Sequence, residues 1–305
     1  MPPPPARHRF RVSGGTTLSY LTAGDRAAPA LLLLHGFPSS AQTFRHIIPA
    51  LAERTHVVAP DLPGFGESDV LAAPSFAAFS AAIAELLDHL GIGPRYIYLH
   101  DFGAPVGIDI AMRAPRDVLG LIIQNANAHE SGFDENWAAT RAFWSDPTPQ
   151  NEAAATSHLT LEGTRNQYVG NVPPDIAARI PASVWEEDWR VMQLPGRIET
   201  QRALIRDYGT YAAKFGAIAH YLTEHQPPAL MVWGRHDAFF NLAETLSWMQ
   251  ALPRMEAHIL DAGHFLLETS GDVAAELIAR FIDRESVPVE GLRQRKGHRL
   301  TLATS

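Results

Sequence analysis

The chain of 305 residues contains no cysteine, which excludes disulfides, thiolate metal sites and a cysteine nucleophile. Charged residues make up only 19% and the formal net charge is −8, so there is no basic surplus with which to bind nucleic acid. No stretch reaches the ~20 apolar residues of a membrane span. Residues 1–11 carry four prolines and several basic side chains without the apolar core of a secretion signal, so a cytoplasmic chain with no membrane partner is expected. Neighbours such as His129-Glu130 and His236-Asp237 do not form a spaced ligand set, and neither a metal nor another cofactor is expected. The most informative absence is local. In Leu99-His100-Asp101-Phe102-Gly103, where the apolar run 96–99 gives way to the helix-like stretch 104–113, the turn holds an aspartate and no serine.

That residue type decides which chemistry is open. A serine nucleophile attacks acyl carbons, but on an epoxide or an alkyl halide it would end as an inert ether. A carboxylate attacking an sp³ carbon forms an alkyl ester, which a histidine-activated water hydrolyses at the aspartate carbonyl. Esters and amides are therefore not the expected substrates. Taken alone, Asp101 would serve equally well as the N-cap of the following helix; the rest of the chain must choose.

With 46% hydrophobic residues the chain is long enough to bury a substantial core, as one large domain or a domain with an insertion. Residues 10–12 and 18–22 alternate as two antiparallel strands would. Residues 30–34, 56–59, 96–99, 119–124, 229–233 and 257–260 are short apolar runs separated by helix-like stretches such as 76–90. The pattern predicts an α/β protein with a doubly wound, mostly parallel eight-stranded sheet. His35, Asp61, Asp101, Asn125, Asp237 and His264 each follow one of these runs. They belong at the carboxyl ends of the strands, where such sheets bind ligands.

Residues 129–226 break the alternation. No strand-like run occurs there, yet four of the six tryptophans and four of the seven tyrosines fall inside it. The expected organisation is a core of residues 10–128 and 227–283, a helical cap of residues 129–226 inserted over the strand ends, and a disordered tail over residues 284–305.

Asp237 follows the penultimate strand in Trp233-Gly234-Arg235-His236-Asp237, and His264 follows the last in Asp261-Ala262-Gly263-His264-Phe265. Nucleophile, acid and histidine thus occur in one chain order, each at a strand end. Each has a plain structural alternative, Asp237 as a helix cap and His264 as one of fourteen histidines; the coincidence of three favours catalysis.

Together with His35-Gly36-Phe37-Pro38 and Asp61-Leu62-Pro63-Gly64-Phe65-Gly66, these motifs resemble the α/β-hydrolase fold, in the branch that contains epoxide hydrolases and haloalkane dehalogenases, over about residues 10–283. The resemblance implies Asp101 at a strained nucleophile elbow, His264 as base and Asp237 as acid. It also implies the backbone N–H groups of Phe37 and Phe102 as oxyanion hole, with His35 shaping that loop and not acting as a base. Tyr208, in Arg206-Asp207-Tyr208-Gly209-Thr210-Tyr211, resembles the cap tyrosine that protonates an epoxide oxygen. Tyr168 and Trp144 are candidates for its partner, and Tyr211 for a substrate contact. Haloalkane dehalogenases hold the departing halide with side-chain N–H donors, usually a Trp after the nucleophile and often an Asn after His-Gly. Here those positions are Phe102 and Phe37, leaving Trp144 as the candidate donor. Asn125 and Asn127 follow the sixth run, where some dehalogenases keep their acid, but neither ionises. The expectation is an epoxide-opening hydrolase, with dehalogenation through the same Asp101 second and a non-catalytic ligand-binding module third. The expected substrate is small and apolar, and the protein is expected to be a monomer or homodimer.

Overall fold

The computed structural model describes residues 4–286. Eight strands form one sheet: β1 (Ala6–Arg11), β2 (Thr17–Ala23), β3 (Ala30–Leu34), β4 (His56–Pro60), β5 (Arg95–His100), β6 (Val118–Gln124), β7 (Ala229–Gly234) and β8 (Glu256–Leu260). Their spatial order is β1-β2-β4-β3-β5-β6-β7-β8. Only β2 runs against the rest, pairing antiparallel with β1 and β4. All eight runs read from the sequence are strands. The first begins earlier than expected, at Ala6, because its whole length pairs with β2 from Ala6↔Thr22 to Arg11↔Thr17.

The central strands β3, β4, β5 and β7 are buried at every position, which requires helices on both faces. One face carries α2 (Phe76–Leu90), α3 (Gly103–Arg113) and α11 (Leu242–Ala251); the other carries α1 (Ile48–Leu51) and α12 (Leu267–Glu285). Local chemistry sets the bounds of α2. Ser75 accepts from the Ala78 N–H at its start, and Gly91 ends it at φ 68°, a left-handed conformation that only glycine adopts without strain. The helix then buries Phe79, Ile83 and Leu86 fully, each contributing about 1.5–3 kcal/mol of transfer free energy.

Between β6 and β7 the chain leaves the sheet. It forms α4 (Ala138–Ser145), α5 (Pro149–Ala155), α6 (Leu161–Val169), α7 (Pro174–Ala177), α8 (Ala182–Met192), α9 (Arg197–Ala212) and α10 (Phe215–His225), with no strand among them. These helices join the core's apolar cluster through residues such as Phe143, Leu204, Tyr208 and Phe215. The expected tail boundary needs correction: Arg284 and Glu285 still belong to α12, where Arg284 pairs with Glu256. The remainder of that segment, from residue 287, lies outside the described residues. No helix among the described residues is long and apolar enough to cross a membrane.

Candidate active site

Asp101 stands between β5 and α3 with φ 47°, a strained value for a residue with a side chain. Two glycines allow this. A Cβ on Gly103 would lie 2.4 Å from the Leu34 carbonyl oxygen, and one on Gly36 would lie 2.3 Å from Asp101 Cβ. The Asp101 carboxylate does not cap α3, whose N-cap residue is Phe102 with no side-chain hydrogen bond. Oδ1 instead accepts the Phe37 N–H at 2.6 Å. Burial raises the Asp101 pKa, against the pull of His264 and of the Phe37 and Phe102 N–H groups.

His264 and Asp237 meet as the sequence led us to expect. His264 Nδ1 lies 2.7 Å from Asp237 Oδ2. Both Asp237 oxygens are fully engaged: Oδ1 accepts from the Phe239 and Phe240 N–H groups, and Oδ2 also accepts from Asn125 Nδ2 at 2.7 Å. This fixes the histidine tautomer, leaving Nε2 buried and without a partner. Burial works against the charged form of His264, but Asp237 and, more weakly, Asp101 raise its pKa above the ordinary value.

His35 shapes the loop, as expected. Its Nε2 accepts the Leu62 N–H at 2.9 Å and its Nδ1 donates to the Gly36 carbonyl at 3.0 Å; burial holds it neutral by lowering its pKa. Asp61 is likewise tied up, with Arg7 and the Ala41 and Glu67 N–H groups.

A cavity of about 620 Å³ opens over Asp101, with Phe37, Phe102, Trp137, Phe239 and Phe240 as its aromatic wall. Tyr208 lines it too. Its hydroxyl is buried without a hydrogen-bond partner, and burial, then Tyr211 and Asp101, keep its pKa well above the usual phenol value. It is therefore a protonated donor, within the pull of the Asn127 side chain but without a formed hydrogen bond to it.

The other three cap-region candidates are corrected. Tyr168 donates its hydroxyl to Asp188 and stacks on Phe265 at 4.0 Å, away from the cavity lining. Tyr211 donates to the Asn127 carbonyl at 2.6 Å and supports Tyr208 edge-on at 5.3 Å. Trp144 donates its indole N–H to the Ile205 carbonyl at 2.8 Å and lies parallel to Tyr208, centroids 6.0 Å apart. Gly209 makes room for that stack, since a Cβ there would lie 2.7 Å from Trp144 Cγ.

Two further residues matter to the geometry: Asn125, noted in the sequence only for its place after the sixth run, and Gln124, which was not singled out. Asn125, at φ 37°, holds Asp237 through Nδ2, accepts the Gly234 N–H at 2.9 Å through Oδ1, and accepts the Asp101 N–H at 3.3 Å through its own carbonyl. It thereby joins the loops carrying Asp101 and Asp237. Gln124 donates to the His264 carbonyl at 2.9 Å and itself accepts from Tyr98. Their position directly at the end of β6 was the available signal. Among the described residues no three His, Asp or Glu side chains gather in a way that would hold a metal ion.

The arrangement pairs a buried carboxylate, held by an amide at one oxygen, with a histidine–carboxylate base and a free phenol. Comparison with known proteins gives the same frame. The family model described as alpha/beta hydrolase fold matches residues 29–270. An uncharacterized hydrolase of Saccharomyces cerevisiae is 34% identical over 285 residues, covering 90% of this chain and 97% of that protein. Epoxide hydrolase 4 of Mus musculus is 28% identical over 89% of this chain and 78% of its own length. Haloalkane dehalogenase 2 of Mycobacterium tuberculosis is also 28% identical, over 91% of this chain and 96% of its own.

Proposed function

The chain belongs to the alpha/beta hydrolase fold family, and from that premise we propose that it hydrolyses epoxides to vicinal diols through a covalent ester on Asp101. Equal identity to an epoxide hydrolase and a dehalogenase leaves the choice to the groups facing the nucleophile. One observation carries it: Tyr208 offers an unengaged hydroxyl in the Asp101 cavity, while the indoles of Trp137 and Trp144 donate to the carbonyls of Phe239 and Ile205. A departing alkoxide needs a proton; a departing halide needs N–H groups, and these two are occupied.

In the proposed reaction Asp101 Oδ2 attacks one ring carbon, the C–O bond breaks, and its electron pair takes the Tyr208 proton. The resulting hydroxyalkyl ester is neutral at Asp101. His264 Nε2 then removes a proton from water, and the hydroxide adds to Asp101 Cγ. The oxyanion at Oδ1 is met by the Phe37 and Phe102 N–H groups, of which Phe37 is already 2.6 Å from Oδ1. Collapse expels the diol oxygen, which recovers the proton from His264, and the proton left on Asp101 returns to the Tyr208 phenolate. Asp237 stabilises the imidazolium between these transfers. Residues 129–226 act as a cap that supplies Tyr208 and excludes water from the ester-forming step.

The test compares a terminal epoxide with a bromoalkane of equal length. Wild type is expected to yield diol, and Tyr208→Phe to lose about 10²–10⁴ in kcat/KM on the epoxide, the usual range for a positioned acid. Bromide release without diol formation, unchanged in Tyr208→Phe, would overturn the proposal.

A further inference from the structure

The proposed epoxide opening engages only one end of the cavity. No arginine or lysine lines the cavity, and Asp101 is its one carboxylate, so a carboxylated or otherwise anionic substrate would meet no counter-charge there. The wall built by α6 and the turn before it is different in character from the aromatic wall. Gln167 on α6 is 5% exposed and lines the cavity, and its side-chain amide has no hydrogen-bond partner among the described residues. An amide presented to the cavity in this way can exchange water for a bound hydrogen-bonding group.

Its placement is rigid. Thr160 caps α6 by accepting the Gly163 N–H at 3.0 Å, and a Cβ on Gly163 would lie 1.9 Å from the His158 carbonyl oxygen, so helix and turn are packed directly together. One residue on from Gln167, Tyr168 is clamped between Asp188 and the face of Phe265. That clamp fixes the rotation of α6 and with it the direction of Gln167. His158 lines the same wall, edge-on to Phe37 at 5.6 Å, and burial lowers its pKa, keeping it a neutral hydrogen-bonding group.

Resting on the epoxide reading, we propose that Gln167, with His158 on the same wall, forms an anchoring subsite for an uncharged hydrogen-bonding group of the substrate outside the oxirane, such as a hydroxyl or ether. The preferred substrate is then an amphiphilic epoxide, apolar along the aromatic wall and carrying a polar group where it meets α6. Plain alkyl epoxides and epoxy carboxylates are the poorer ligands.

The test measures binding separately from chemistry. Cyclopropane isosteres of terminal epoxides, which Asp101 does not open, are prepared with tails ending in hydroxyl, methyl ether, methyl or carboxylate, with spacer length varied, and their Kd values are read by calorimetry. Wild type is expected to bind the best hydroxyl and ether ligands about fivefold to tenfold more tightly than the methyl ligand, the ratio one neutral hydrogen bond supplies, and the carboxylate most weakly. Gln167→Met is expected to abolish the preference. Gln167→Glu, which keeps acceptors but loses donors, is expected to retain the hydroxyl preference and lose that for ether. Equal binding of hydroxyl, ether and methyl ligands by wild type, or a preference that survives in Gln167→Met, overturns the subsite. Since these ligands are inert, that result stands apart from turnover: failure of the matching epoxides to give diol would contradict the proposed function alone.

Discussion

The residues around Asp101 are held by contacts that make single substitutions informative. Gly36→Ala would place a methyl 2.3 Å from Asp101 Cβ; displacement of the nucleophile by about 1 Å costs on the order of 10² in rate. The variant is expected to lose that much kcat in steady-state diol formation while retaining its near-ultraviolet dichroism. The pH dependence follows from the groups raising the His264 pKa, Asp237 chiefly and Asp101 after it. His264 must be neutral to accept a proton from water, so ester hydrolysis fails as pH falls through its pKa. In the ester Asp101 carries no charge, and one of the groups raising that pKa is gone. In Tyr208→Phe, where no phenolate takes up the displaced charge, single-turnover hydrolysis of the ester is therefore expected to retain its rate to a lower pH than the one at which His264 titrates in the free variant by NMR. Coincident or reversed midpoints would count against the charge coupling. These contacts also mark where the sequence was readable. Asp101, Asp237 and His264 were legible because each carries an ionisable group just past an apolar run. Asn125 is a neutral amide whose importance lies in a positive φ and three hydrogen bonds, none visible in residue type. Tyr168, Tyr211 and Trp144 were the converse: suitable chemistry, with the hydrogens already donated to Asp188, Asn127 and Ile205.

At the scale of elements, two buried carboxylates hold the inserted segment: Glu244 ties its start to α11, and Asp188 joins α8 to α6. Glu244 on α11 is fully buried and accepts from the Ala128 and His129 N–H groups, the His129 ring and the Ser131 hydroxyl, which pins the chain where it leaves β6. Glu244→Ala leaves those donors buried without a partner, and a stability loss of about 2–4 kcal/mol is expected in urea unfolding; a loss below about 1 kcal/mol would show that the hinge is held by packing alone. Asp188 on α8 makes the stability depend on pH. Burial pushes its pKa up to about 7, above the ~3.9 of an unfolded aspartate, so the folded state binds the proton more tightly. Its contribution to stability is present below pH ~4 and is lost as pH rises to about 7. Asp188→Asn is expected to flatten that descent and to be more stable than wild type at pH 8, by roughly 2 kcal/mol. A wild-type stability that rises over the same interval through this residue, shown by a larger descent in the variant, would contradict this. The eight strands and α2 were readable from periodicity and caps, since burial on both faces leaves continuous apolar runs. The subdivision of residues 129–226 into seven helices was not, because their short amphipathic turns take their orientation from contacts with the core.

For the whole molecule, the sheet order and the insertion between β6 and β7 bring residues far apart in the chain to one rim: Phe37 after β3, Asp101 after β5, Asn125 after β6, Asp237 after β7 and His264 after β8. Tyr208 reaches them from α9. The alternation of runs made that convergence predictable, whereas which side chains enter the cavity depends on how the inserted helices rotate, and so the leaving group was less legible than the nucleophile. The chain's relatives include proteins named for two reaction types; we choose between them on the Tyr208 hydroxyl. The most direct measurement is the intact mass of His264→Gln after incubation with a terminal epoxide and, separately, with a bromoalkane. Without its base the protein can form the Asp101 ester but not hydrolyse it. The expected result is a stable adduct equal to the mass of the whole epoxide, mapped to Asp101 and abolished in Asp101→Asn. An alkyl adduct from the bromoalkane with none from the epoxide, or no adduct on Asp101 from either, would contradict the assignment.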